Sequence, residues 1–174
     1  MILGMSTSTF TLLHVVISLA GIGSGLIVVY GMLTRNRMDG ITAFFLATTI
    51  LTDLTGYLFP VEHILPSHIV GAISLTALAI ALVARYGRRM EGSWRWIYVV
   101  TAMIGLYLNV FVGVVQSFMK VPAVHDLAPT QKEPPFLVVQ LLVMAIFAVL
   151  GVLAVKKFRL APVAAAPAAW KKAS

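Results

Sequence analysis

The side chains best suited to chemistry are four histidines, His14, His63, His68 and His125, and one carboxylate lodged in an apolar stretch, Asp53. Imidazoles are the usual protein ligands of haem and of zinc or copper. His14 and His68 belong to different apolar segments at comparable distance from their ends, as a pair of axial ligands to a b-type haem would, and Gly21 and Gly71 could leave room for the macrocycle. A metal reading gathers Glu62, His63, His125 and Asp126, with His68 nearby, as nitrogen and oxygen donors for zinc or copper. Against it, Glu62 and His63 are adjacent in the chain, and there is no HExxH and no histidine pair at i, i+4. Asp53 is followed by Tyr57 one helical turn on, and an acid inside a bilayer is expensive unless it faces a protein interior. Four threonines surround it, Thr48, Thr49, Thr52 and Thr55, so a structural polar network is the plain alternative to a functional acid.

Other chemistries lack their signatures. No cysteine is present, which excludes disulfides, thiolate catalysis, iron–sulfur clusters and thioether-linked haem. The GIGSG at Gly21 to Gly25 is out of register for GxSxG, and there is no Walker motif or GxGxxG after a strand. Acid–base chemistry through Asp53, His14 and Tyr57 would need no linear motif, but nothing in the sequence argues for it.

The elements that must hold these residues follow from composition. The chain has 174 residues, of which 60% are hydrophobic and 11% charged, with a mean hydropathy of +0.96. An ordinary soluble domain carries roughly 25% charged residues. Long uncharged runs are what a bilayer demands, since backbone groups must there be paired within their own helix. An all-α integral membrane bundle of five transmembrane helices is therefore expected, over Phe10 to Leu33, Ile41 to Phe59, Ser67 to Tyr86, Trp94 to Phe118 and Phe136 to Val155. The first is read as a retained helix, because no Lys or Arg precedes it and it is too long for a signal peptide's apolar region.

Charge sets the expected threading. Eleven of the 13 Lys and Arg residues fall in one set of connecting segments, and only Lys120 and Lys132 in the other. The positive-inside rule places the N-terminus outside and the C-terminus in the cytoplasm. The +7 net charge is thus a matter of topology, and nucleic acid is not an expected partner. Residues 1–160 form the expected membrane domain, and the Ala- and Pro-rich stretch 161–174 a flexible cytoplasmic tail.

Helical spacing then assigns faces. In the first span His14, Ser18, Gly21 and Gly25 form a small, polar stripe containing a GxxxG pair. Gly105, Asn109, Gly113 and Gln116 repeat that geometry in the fourth span, and both stripes are expected to look inward as packing faces. With this threading all four histidines lie on the outer side, and the outer halves of the spans also hold Asp53, Tyr57, Asn109, Gln116 and Gln140. A polar cavity or docking surface open to the exterior is expected there. The loop Lys120 to Pro135 carries four prolines and is either a semi-rigid cover over that mouth or a stiffened connector.

The stretches TGYLFP (Thr55 to Pro60), LPSH (Leu65 to His68), RWIYV (Arg95 to Val99), YLNVFV (Tyr107 to Val112) and LAPTQKEPPF (Leu127 to Phe136) resemble a family of small, uncharacterised bacterial polytopic inner-membrane proteins. The resemblance covers nearly the whole membrane region and implies a bacterial cytoplasmic membrane, with no activity or site residues to carry over. The expectation from sequence is a non-enzymatic accessory or assembly bundle, in a larger membrane complex or a homo-oligomer, surrounded by the lipid bilayer. Its rivals are a membrane redox or ligand protein holding haem, quinone or metal, and an oligomeric transporter or channel.

Overall fold

The computed structural model describes residues 1–60 and 66–158. Glu62, His63, Arg159 and the expected tail, with Lys171 and Lys172, lie outside the described residues. The helices are α1 (Thr7–Leu33), α2 (Asp39–Gly56), α3 (Pro66–Leu82), α4 (Trp94–Lys120), the short α5 (Pro122–His125) and α6 (Pro134–Lys157). A π-helical turn, Val83–Gly87, prolongs α3. No strand occurs among the described residues beyond an isolated Ile2–Met5 bridge.

Local chemistry accounts for the boundaries. Ser6 caps α1 by accepting the Thr9 amide at 3.1 Å. The turn into α2 is tight: the Asn36 amide donates to the Gly31 carbonyl at 2.8 Å, and Arg35 and Met38 take left-handed φ of 62° and 43°. A Cβ at Gly31 would lie 2.9 Å from both the Asn36 carbonyl oxygen and Met38 Sδ, so only glycine lets this turn close. Before α6, the Glu133 carboxylate accepts from the Thr130 amide and hydroxyl and from the Lys132 amide. Pro134 and Pro135 then occupy the first turn of α6, where a missing N–H costs nothing.

Among the described residues four helical segments are long and apolar enough to cross a membrane: Thr7–Leu33, Pro66–Gly87, Trp94–Lys120 and Pro134–Lys157. The expected span at Ile41 to Phe59 is where the structure departs from the five-helix reading. It corresponds to α2, whose 18 residues include two aspartates and five threonines, and it falls short of that standard. Yet α2 runs the height of the bundle antiparallel to α1. Its neighbours along α1 are Gly31 at the turn, Gly25 beside Phe45, Gly21 beside Thr49, and His14 beside Thr55. Gly31 to His14 is a rise of about 26 Å at 1.5 Å per residue.

The threonines of α2 hide their polarity by donating to carbonyls one turn back: Thr48 to Phe44, Thr49 to Phe45, Thr52 to Thr48 and Thr55 to Leu51, at 2.7 to 2.9 Å. The apolar core lies in the half of the bundle nearer the basic loops, around Phe45, Leu46, Leu78, Tyr98 and Leu106. α6 is the least embedded long helix, with only Gln140 and Ala154 buried.

Candidate functional site

The two small-residue stripes meet face to face. A Cβ at Gly21 would lie 3.1 Å from Asn109 Nδ2 and 3.1 Å from Thr49 Oγ1; one at Gly25 would run into Leu106 and lie 2.9 Å from Phe45. Gly105 makes way for Leu78 of α3, and Gly113 lies against Ile22 of α1. Ser18 fixes the register, its hydroxyl donating to Asn109 Oδ1 at 2.8 Å while Asn109 Nδ2 donates back to the Ser18 carbonyl at 3.5 Å. The stripes thus close the middle of the bundle.

Toward the end remote from Arg35, Arg88 and Lys156 the helices leave a cavity of about 470 Å³. The first half of α1, the end of α2, the start of α3 and the second half of α4 line it. Val15, Leu19, Ile22, Val70, Leu108 and Val112 give it apolar walls. His14, Asp53, Tyr57, His68, Asn109 and Gln116, which the sequence placed in this half of the bundle, all contribute to its lining, as do Ser18 of the packing stripe and Lys120.

The hydrogen bonds within this lining determine what it can offer a ligand. His14 Nδ1 lies 2.7 Å from Thr55 Oγ1. The Thr55 hydroxyl has one proton, and it goes to the Leu51 carbonyl at 2.7 Å. His14 Nδ1 must therefore be the donor, and in the neutral ring this leaves Nε2 as an acceptor. The ring also packs edge-on against Phe59, which meets Phe10 in the same way. Tyr57 donates to the backbone carbonyl of His68 at 2.6 Å, and its ring stacks on the His68 imidazole at 5.3 Å. Asp53 Oδ2 is buried with no hydrogen-bond partner among the described residues, and so is Ser74 Oγ, the polar group of α3 set against it beyond direct bonding distance.

Other expected sites fare differently. The room proposed for a macrocycle is occupied by protein: Asn109 and Thr49 fill the space at Gly21, and the Tyr57 ring fills that at Gly71, with its hydroxyl 3.2 Å from a Cβ placed there. The haem reading loses that support, although both His14 and His68 border the cavity. For the metal set, Glu62 and His63 lie outside the described residues, and among the described ones no group of three or more His, Cys, Asp or Glu comes together. His125 does not line the cavity; its Nδ1 lies 3.0 Å from the Phe118 carbonyl, and Asp126 follows it in the turn after α5. Gln140 is buried apart from the cavity, donating to the Phe111 carbonyl at 3.3 Å.

A second polar cluster, at the basic end, was not legible in the sequence. Arg85 reads there as one more cytoplasmic cation, but its side chain is only 2% exposed. It donates to the Asp39 carboxylate and the Arg37 carbonyl and lies over the Tyr98 ring, 5.0 Å from its centre. The π-turn brings it inward, and neither that turn nor the partner 46 residues away leaves a trace in residue spacing. Thr55, which orients His14, was visible only as one of several threonines.

No family model, curated protein or solved structure matches this chain. The site itself therefore carries the functional reading.

Proposed function

We propose that the chain is a multi-pass membrane protein that binds a small amphipathic molecule in the cavity between α1 and α4, taking it up from the outer side without catalysing a reaction. The observation that carries this reading is the cavity. Its volume of about 470 Å³ falls in the roughly 300–1,000 Å³ range of small-molecule sites, and it combines apolar walls with a few convergent polar groups, as such sites do. The reading takes all five helices to cross a bacterial cytoplasmic membrane, with the N-terminus outside and the cavity mouth facing the exterior. The cation distribution supports this threading, and the internally bonded threonines of α2 support a fifth crossing.

The test is purification in mild detergent, followed by mass spectrometry of extracted small molecules, a visible spectrum and metal analysis. Gly113 borders the cavity and has room for a Cβ, its nearest neighbour being 3.7 Å away, so Gly113→Phe should grow into the space. An organic molecule retained by the wild type and by Leu142→Phe on the exposed face of α6, but lost from Gly113→Phe, is the expected result. A Soret band lost on His14→Ala would favour the haem rival instead, and identical content in all variants would defeat the cavity reading.

One observation favours a second reading, the accessory or homo-oligomeric bundle. An apolar groove between α4 and α6, bordered by Met103, Tyr107, Met144 and Phe147, lies along the helix the bundle buries least. A single species at monomer mass in detergent and in bilayer nanodiscs would count against it.

A further inference from the structure

We infer that the molecule taken up by the cavity is a cation, a protonated amine on an apolar body, with Asp53 as its counter-ion. The inference rests on the reading of the cavity as a binding site and adds the charge of the ligand. Its basis is the deep part of the lining, inward of Ser67, Gln116 and Lys120, whose donors lie seven or more residues nearer the mouth than Ser74 and Asn109. Five hydroxyl groups border the cavity with their only proton already given away: Thr11 to the Thr7 carbonyl, Ser18 to Asn109, Thr52 to the Thr48 carbonyl, Tyr57 to the His68 carbonyl and Ser117 to the Gly113 carbonyl. The amide nitrogen of Asn109 is turned to Gly21 and Thr49 and donates to the Ser18 carbonyl.

Acceptors, by contrast, are left over. Asp53 Oδ2 is buried with only the Ser74 hydroxyl set against it, beyond direct bonding distance, and the Thr55 bond leaves Nε2 of neutral His14 with its lone pair. A buried acceptor that loses water and gains no donor is costly, so the deep part of this site is completed by a ligand that brings N–H groups. An ammonium brings three and a charge of the right sign.

The charged and titratable groups around the cavity fit this assignment. Asp53 is the only carboxylate in the lining among the described residues. No cation pairs with it among the described residues, whose ion pairs are Arg37 and Arg85 with Asp39 at the other end of the bundle. From α1, His14 is fixed through Nδ1 to Thr55; from α3, His68 stacks on Tyr57. Lys120, on α4, is the one lysine in the lining among the described residues, and its charge bears on His14. It is 11 residues beyond Asn109, about 16 Å along the axis at 1.5 Å per residue, so it does not neutralise the acid below. The rings of Tyr57 and Phe59 border the same space, and an aromatic face favours a cation over an anion.

The probes are phenethylammonium, its neutral analogue 2-phenylethanol and its acidic analogue phenylacetate, measured by equilibrium dialysis against purified full-length protein in detergent, with protein-free micelles as blank. Phenethylammonium is expected to bind at least tenfold more tightly than either analogue, and Asp53→Asn is expected to lose at least that factor. Asp53→Ala, checked for helical content, serves if the amide variant does not fold. Lys120→Gln is expected to leave amine binding equal or stronger. Equal binding of the alcohol and the amine, undiminished amine binding in a folded Asp53 variant, or no amine binding at all overturns the inference. If the alcohol binds and Gly113→Phe abolishes it, the charge assignment fails while the cavity reading survives; if Gly113→Phe alters the binding of no probe, the cavity reading fails as well.

Discussion

Arg85 and Asp39 form a pair whose two members stand in different solvents, and the consequences of removing each are unequal. The arginine side chain is 2% exposed and the aspartate 67%. Arg85→Ala removes the hydrogen bonds to Asp39 and Arg37 and the stacking over Tyr98, and leaves a void; an expected loss on the order of 2–3 kcal/mol follows from those terms together. Asp39→Asn keeps a hydrogen-bond acceptor at a wet position and should cost about 1 kcal/mol or less. Thermal unfolding of both variants in detergent, followed by circular dichroism, checks the ordering, and equal losses would show that Arg85 is not buried against Tyr98. At the opposite end of the scale of burial, Asn109→Ala leaves the Ser18 hydroxyl without its acceptor. An interhelical bond of this kind in a membrane is worth about 0.5–1.5 kcal/mol, so the same measurement should register a small but definite drop.

Among the elements, α1 carries its own control. Gly25 faces Leu106 and Phe45 with no room for a Cβ, whereas Gly23, two residues earlier, has nothing within 4 Å. Gly25→Ala should destabilise by about 1–3 kcal/mol through overpacking, and Gly23→Ala should be neutral or slightly stabilising. A reversed order, in a chemical denaturation series, would mean that α1 turns a different face toward α2 and α4. The stripe of α1 could be read from spacing because one helix face is a local property: Ser18, Gly21 and Gly25 fall together at any helix geometry. The partners of that stripe could not, since Phe45, Thr49 and Leu106 meet it only once three helices are packed.

The cavity shows the same division. Six of its polar residues were assigned to one half of the bundle by depth alone, but the exclusion of Gln140 and His125 depends on which way α6 and α5 turn. The fifth span expected at Ile41 to Phe59 fails on composition, since two aspartates and five threonines keep α2 below the hydropathy of the other long helices. A hydropathy scale charges each hydroxyl as if it met lipid, while in this fold the hydroxyls bond to their own helix.

For the molecule as a whole, the choice between four crossings and five has a direct answer in labelling, because the chain has no cysteine to remove first. Five crossings put Asn36→Cys and Ser93→Cys on one face of the membrane and Ser8→Cys and Thr130→Cys on the other. If α2 does not cross, the Asn36 and Ser93 positions separate to opposite faces. Membrane-impermeant maleimide applied to right-side-out vesicles distinguishes the two, and only the first outcome is compatible with a cavity mouth outside and the basic loops within.

Every described residue that borders the cavity precedes Pro122, and α6 supplies none of them. The described walls of the receptacle are therefore in hand before α6 is synthesised. That last segment docks through Ala154, Phe147 and Leu150, while its outward face, with Leu142 and Val149, is free to suit whatever neighbour or lipid it meets.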